Sequence, residues 1–483
     1  MDRALGYFSI VALWWSHDLL LCVSIIYRGA CWYLYLSMHC RPALSCLGER
    51  GMEANVSPAL LTQKSCLMGK SQKLSLYFHI PFCLSKCYYC DFNSYAGLSW
   101  LIPQYVEALK GEMRLYAKGI WQFEIKTIYF GGGTPSLLPM NSVSCILKTC
   151  SGLFNMSPNL EVTLEANPGT IDQSFLTQLK QIGVNRLSLG VQSFSDSELK
   201  LLGRVHSAVE AREAYLTARE AGFENINIDL LYALPQQTLN DWQNNLVELI
   251  KLNPEHLSLY PLTLESGTPL ANAVASGSLP KLNADLAADM YLLAKHELAK
   301  EGYNHYEISN WALPEKECQH NLTYWEDEPY LGFGAGAHSY LGGYRWANVS
   351  SPIEYVKHLS NTETKASQQP YFNSPLVDNI EHIDRDLEIA ESVILGLRLE
   401  EGVNFANFTH RFGVELYSIY PQQQINELVE LGLIAKNEHG IRLTTKGKLL
   451  GNEVFLRFLP QYKSFSCHSE HSEESKDPSR SPS

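Results

Sequence analysis

Cys83, Cys87 and Cys90 stand in HIPFCLSKCYYCDF with C-x3-C-x2-C spacing. Thiolates are the natural ligands of iron–sulfur clusters, and a cubane takes several sulfurs from one short loop wrapped around it. With three thiols in the loop, one iron lacks a protein thiolate and stays open to an exchangeable ligand. A zinc site or a set of buried thiols would use the same residues. A zinc ribbon usually needs a second Cys or His pair at matching distance, and none is evident. The spacing therefore favours a reactive cluster over a plain electron carrier.

Other chemistry-bearing residues recur at comparable places along the chain. Gly131, Gly132 and Gly133 in YFGGGTPS allow a ligand close to the backbone. This is no dinucleotide fingerprint, because G-x-G-x-x-G is absent. Glu165 closes LEANP, Gln192 closes LGVQSF, Arg204 follows in LLGRVH, and Asp229 lies within NIDLLYALP. A lone carboxylate in a strand is usually paired structurally, but four polar groups at corresponding strand ends suggest a shared site. His320 lies in HNLTYW among aromatics; its bland reading is a core-edge imidazole with satisfied hydrogen bonds. Cys145, Cys150 and Cys318 read as small buried hydrophobes.

The elements that must position these residues alternate between strand and helix. LSLYFHI, TIYFGG, LEVTLEAN, RLSLGVQS, NINIDLLYALP and HLSLYPLTL are short, apolar and β-branched or aromatic, as buried parallel strands are. Between them IPQYVEALKGEMRLYAK, DQSFLTQLKQIG, AVEAREAYLTAREAGF, LNDWQNNLVELIKLN and ADLAADMYLLAKHELAKEGY carry apolar residues at helical spacing, several ending at Gly. Alternation of this kind implies a parallel sheet with right-handed crossovers. The expected fold class is α/β, a partial (βα)6 barrel, with chemistry at the C-terminal ends of its strands.

The triple-Cys loop, with Tyr89 before the third Cys, resembles the radical S-adenosylmethionine (SAM) superfamily signature. GGGTPS resembles that superfamily's GGE-type motif, with Thr134 in the acidic position. The resemblance implies a [4Fe–4S] cluster on Cys83, Cys87 and Cys90, whose open iron SAM chelates and whose reduction yields a 5′-deoxyadenosyl radical. Likeness to the coproporphyrinogen dehydrogenase and HemW group makes Tyr77, Tyr89, Gly132, Gly133, Thr134, Glu165, Gln192, Arg204 and Asp229 SAM-contacting positions. Dehydrogenases of that group carry a further Cys where this chain has Phe92, whereas the HemW branch has this CDF form. HNLTYW, from His320 to Trp325, is similar to the HNxxYW element of HemW-type heme chaperones, which implies heme binding with His320 as an axial-ligand candidate. The implied function is binding of heme and SAM and transfer of heme to an acceptor hemoprotein, with the respiratory chain a source of acceptors. The alternative is an oxygen-independent coproporphyrinogen III dehydrogenase.

The expected organisation runs from an atypical extension over 1–70, through a radical SAM core over 71–305 and a linker with HNxxYW over 306–375. A small winged-helix-like domain over 376–463 and a disordered tail over 464–483 complete it. The residues before Met68 read as a poorly formed membrane anchor, a genuine extension or sequence translated from upstream of the true start, and MGKSQKLSLYFHIP, which Met68 begins just ahead of the first strand, favours the last. The apolar runs in that region are broken by Ser16, His17, Asp18 and Arg28 and fall short of the ~20 residues of a membrane span. Membrane contact is thus at most peripheral and the expected location cytoplasmic. The Ser- and Glu-rich tail, including Cys467, His468 and His471, cannot bury enough surface to order itself. A net charge of −13 argues against a nucleic-acid partner.

Overall fold

The computed structural model describes residues 72–360 and 374–460; the extension over 1–70 and the tail over 464–483 lie outside them. Six parallel strands form the centre: β1 Gln72–Ile80, β2 Phe123–Gly132, β3 Asn155–Ala166, β4 Arg186–Gln192, β5 Ile226–Tyr232 and β6 His256–Pro261, neighbours in chain order. Each lies where an apolar run precedes Gly, Pro or polar residues. Helices cross over between them: α1 Ile102–Ile120, α2 Met140–Leu153, α3 Gln173–Gln181, α4 Asp196–Leu202 with α5 Ala208–Glu220, and α6 Leu239–Leu252. Capping boxes start α5 at Ser207 with Glu210 and α6 at Thr238 with Asp241, where each side chain satisfies an otherwise orphan helix N–H. This is the partial barrel the alternation predicts.

The strands alternate, with a register shift between Ile125 and Thr127 on β2. Val162, Leu164, Leu187, Leu189, Ile226 and Ile228 point outward into the core shared with the helices. Each such side chain contributes about 1.5–3 kcal/mol by leaving water. The opposite face of β1 to β6 carries Ser75, Tyr77, Tyr129, Thr163, Arg186, Ser188, Asn227 and His256, all buried. The barrel lumen is therefore polar and aromatic.

Both edges of the sheet are extended by the stretch after residue 303. Strands β7 Asn304–Glu307 and β8 Asn310–Ala312 add antiparallel beside β6. On the far side β9 Tyr330–Phe333 pairs parallel with β1, and β10 His338–Leu341, β11 Tyr344–Asn348 and β12 Val377–His382 follow antiparallel. HNLTYW is nearly the whole of a short helix, Gln319–Trp325, that closes the lumen at the strands' N-terminal ends.

Residues 385–460 form a separate core around Ile389, Val393, Phe408, Ile425, Ile441 and Phe458. A three-stranded antiparallel sheet with Gly440–Leu443 in the middle packs on short helices, a winged-helix-like arrangement. It is docked by ion pairs, Arg411 to Asp327 at 2.6 Å and Arg345 to Glu391 at 2.5 Å. Cys145 departs from expectation. Cys150 and Cys318 are buried, but Cys145 is exposed, because the buried stripe of α2 runs through Val143, Ile146 and Cys150.

Candidate metal and ligand site at the strand ends

The chain leaves β1 through Phe82–Cys83, which pairs with Tyr95–Ala96 and closes a loop that holds the three thiols. Each sulfur meets a donor from a different element. Thr134 Oγ1 donates to Cys83 Sγ at 3.6 Å, Arg204 Nη1 to Cys87 Sγ at 3.4 Å, and Ser94 Oγ lies 3.9 Å from Cys90 Sγ. Burial pushes the Cys83 thiol above its ordinary value, against hydrogen bonds from Thr134 and Ser94. Burial likewise takes Cys90 up to about 11. Such thiols ionise when a metal displaces the proton, and waiting N–H and O–H donors suit sulfur that has become anionic. The donor set fits an iron–sulfur group.

Beside the loop lies the glycine-rich end of β2. Gly133 N–H donates to Ile80 O and Thr134 N–H to Phe82 O, both at 2.8 Å, so this turn is tied directly to the start of the Cys loop. Gly132 has φ +110°, and a Cβ there would fall 2.5 Å from the His79 ring. His79 Nε2 reaches Asn93 O at 2.8 Å, which braces the loop from its other end. Gly132 N–H donates to Glu165 Oε2 at 3.2 Å and Tyr129 OH to Oε1 at 2.8 Å. Tyr77 stacks on Tyr129 with ring centroids 6.2 Å apart.

Arg204 draws the remaining strands in. It is half-buried, its side chain bonds Cys87 and Tyr89, and Nη2 donates to Asn167 Oδ1 at 2.5 Å and Gly190 O at 2.7 Å. Asn167 Nδ2 in turn donates to Thr134 Oγ1 at 3.0 Å. Gln192, at the end of β4, adopts a left-handed φ of 69°, a strained conformation that recurs at functional sites. Asp229 accepts from Asn227 at 2.7 Å and Ser188 at 3.3 Å. Burial, and then the Glu165 carboxylate nearby, push Asp229 up to about 6.

The three Cys, Tyr77, Tyr89, Gly132, Gly133, Thr134, Glu165, Gln192, Arg204 and Asp229 thus gather at or just below one end of the barrel. His320 does not. It is 1% exposed on the floor helix, with Nδ1 2.7 Å from Thr127 Oγ1 and Nε2 3.0 Å from Tyr324 OH. Its ring stacks on Tyr129 at 4.9 Å. Asn167 and Gly190 belong to the mouth but escape the sequence reading. The signal for Asn167 is the Asn–Pro that follows the third strand, a polar residue two positions past Glu165. A Cβ on Gly190 would stand 3.1 Å from Asn167 Oδ1 and 3.2 Å from Gln192 Nε2.

Among the described residues no helix is long and apolar enough to cross a membrane. Residues 77–249 match the radical SAM superfamily and residues 383–450 the HemN C-terminal domain. The chain is 39% identical to the heme chaperone HemW of Bacillus subtilis, over 80% of this chain and 99% of that one. It is 38% identical to the heme chaperone HemW of Lactococcus lactis, over 80% of this chain and 97% of the relative. Coproporphyrinogen III oxidase (HemN) from Escherichia coli, a radical SAM enzyme, superposes with a TM-score of 0.70 at 25% identity, covering 80% of this chain and 90% of HemN.

Proposed function

The chain belongs to the family of the HemW heme chaperones and carries radical SAM and HemN C-terminal domains, and from that premise we propose that it binds a [4Fe–4S] cluster, SAM and heme and passes heme to an acceptor hemoprotein. The observation that carries this reading is the convergence of the Cys loop, the Gly131–Thr134 turn, Glu165, Arg204 and Asp229 at one barrel end. Cys83, Cys87 and Cys90 would hold the cluster. SAM, when bound, supplies the ligand for the open iron and a cationic sulfonium.

This chain's own residues prepare for both groups. Arg204 spans Cys87, Tyr89, Asn167 and Gly190, so one guanidinium fixes the loop against three strand ends. Gly132 and Gly133 keep the β2 end free of side chains. Glu165 lies close enough to raise Asp229 by like charge, a repulsion that a ligand ammonium or sulfonium would relieve.

For heme, the HNxxYW helix supports a conditional role. Axial ligation by His320 requires it to release Thr127 and Tyr324 and the helix to leave its seat. With that helix closed, His320 anchors the barrel floor. The acceptor is a hemoprotein of the respiratory chain, met in the cytoplasm.

One anaerobically reconstituted sample tests the reading. Heme titration and SAM cleavage are measured together, with coproporphyrinogen III supplied and protoporphyrinogen followed. Stoichiometric heme binding without turnover is expected. Protoporphyrinogen production coupled to SAM cleavage would refute the chaperone reading and install the dehydrogenase in its place.

A further inference from the structure

Deep in the lumen, below the mouth, a row of polar atoms has no protein partner. Arg186, the first residue of β4, is 1% exposed, and its Nε meets no acceptor. On the neighbouring strand its register partner is Thr163, 0% exposed, with Oγ1 equally unpartnered. On the other side Leu187 N–H bonds Asn225 O, which sets Asn225 beside Arg186, and Asn225 Oδ1 is a third orphan. Because Val162, Leu164, Leu187 and Leu189 take the outward face, Thr163 and Arg186 point into the barrel.

Charge partners act on the guanidinium through space, the Glu161 carboxylate among them, and Asp229 feels it too, but none takes its Nε–H. The acidic groups nearest in effect are Cys318, Glu161, Tyr129 and Tyr306. Burial pushes the Cys318 thiol up to about 12, and burial raises Tyr129 and Tyr306 well above the ordinary phenol value, so these three stay uncharged. Glu161 spends Oε2 on Gln319 N–H and Oε1 on His320 N–H, both at 3.1 Å, holding the floor helix. His256, also in the lumen, is buried and held neutral, its Nδ1 2.7 Å from Asn227 Oδ1 and its Nε2 2.8 Å from Tyr306 OH. Orphan donors side by side are what a bound acceptor would satisfy.

We propose that Arg186 and Thr163 form a carboxylate-binding site in the barrel lumen. The guanidinium offers a planar fork of N–H donors and the hydroxyl one more, a set that matches a carboxylate and not a cation. The carboxylate belongs to a free small acid or to a propionate of the tetrapyrrole; the second source rests on the proposed function, the first does not.

The test uses the full, reconstituted chain. Sodium formate is titrated against thermal unfolding, with sodium chloride at equal ionic strength and uncharged formamide as controls. The expected result is an unfolding midpoint that climbs with the logarithm of formate concentration in the parent, with no climb in Arg186→Met and a weakened one in Thr163→Val. Hemin and hemin dimethyl ester then separate the sources. Hemin that displaces formate, where the diester does not, identifies a propionate; formate binding that hemin leaves untouched identifies a small acid. Should Arg186→Met fail to fold, a parent midpoint that responds to formate and not to formamide or chloride still supports the site. The proposal is overturned if formate moves the midpoint no more than its controls do and hemin affinity is the same in Arg186→Met or Thr163→Val as in the parent. Absence of any hemin binding would bring down the heme reading and leave the formate arm to decide this one.

Discussion

Gly133→Ala is the sharpest probe of how the glycine turn and the Cys loop are joined. A Cβ at this position would lie 2.8 Å from Phe82 O, 2.9 Å from Ile80 O and 3.0 Å from Phe82 N. All three are backbone, so no side chain can swing aside. The same carbonyls already accept from Gly133 and Thr134 N–H. Overpacking of this kind costs about 1–3 kcal/mol, and weakening the two hydrogen bonds adds about 1 kcal/mol each. Against a total stability of roughly 5–15 kcal/mol the fold survives, and the loop gives way. Reaching an ordinary 3.4 Å contact from 2.8 Å requires a shift of 0.6 Å. That is about three times the ~0.2 Å latitude of metal–ligand distances, and Phe82 is bonded directly to Cys83. Gly133→Ala should therefore fold, with a lowered urea midpoint, and fail to hold iron and sulfide on anaerobic reconstitution. Gly152→Ala, an exposed helical position with nothing within 4 Å, is the control and should gain about 0.5–1 kcal/mol with full iron content. A Gly133→Ala protein with parental iron, sulfide and midpoint would refute the coupling.

Ala at Cys83, Cys87 or Cys90 should remove the brown visible absorbance and the bound iron; a triple variant that kept its cluster would overturn the ligand assignment. Glu112, buried in α1, accepts from Gly334 N–H at 2.9 Å, Asn348 at 2.7 Å and Tyr355 OH at 2.5 Å, and burial raises it to about 7. Because its folded value lies above its unfolded one, its contribution is complete below about pH 4.5 and is lost as pH rises through 7, on the order of 3 kcal/mol in all. Glu112→Gln should flatten the fall in urea midpoint between about pH 4.5 and 7 relative to the parent; an unchanged slope contradicts the assignment. Arg411→Met strips the partner from buried Asp327 and should cost about 2–4 kcal/mol, read as a lower midpoint and faster proteolysis near residues 383–450. Parental behaviour on both measures would show that this pair does not hold the C-terminal unit.

The six central strands are legible because each is an apolar run of strand length closed by Gly, Pro or a polar residue, a signal intrinsic to the segment. Their C-terminal ends then locate Glu165, Gln192 and the glycine turn by a rule of the architecture rather than by any property of those residues. The short strands between residues 304 and 348 carry no such signal. Three to five residues long, they are recruited by the open edges of β1 and β6, whose unpaired N–H and C=O groups need covering, and this is a tertiary demand. Asn167 and Gly190 were hidden for a related reason. Their value lies in reaching Arg204, which comes from another crossover.

The lumen shows the limit most clearly. In β4 the sequence Arg-Leu-Ser-Leu-Gly-Val-Gln alternates, so Arg186 and Ser188 share the one polar face of a strand whose composition reads as buried. Curling the sheet turns that polar face inward, and the floor helix, pinned by Glu161 and bonded through His320 to Thr127, shuts it from solvent. The period of two specifies which residues share a face, and closure decides what that face meets. Polarity that would be inexpensive on an open sheet becomes a set of buried hydrogen-bonding obligations. Most are met inside the protein, as His320 is by Thr127 and Tyr324 and Asp229 by Asn227 and Ser188. Thr163 and Arg186, adjacent in register, are not, and it is this pairing of unmet donors that the proposed carboxylate would complete.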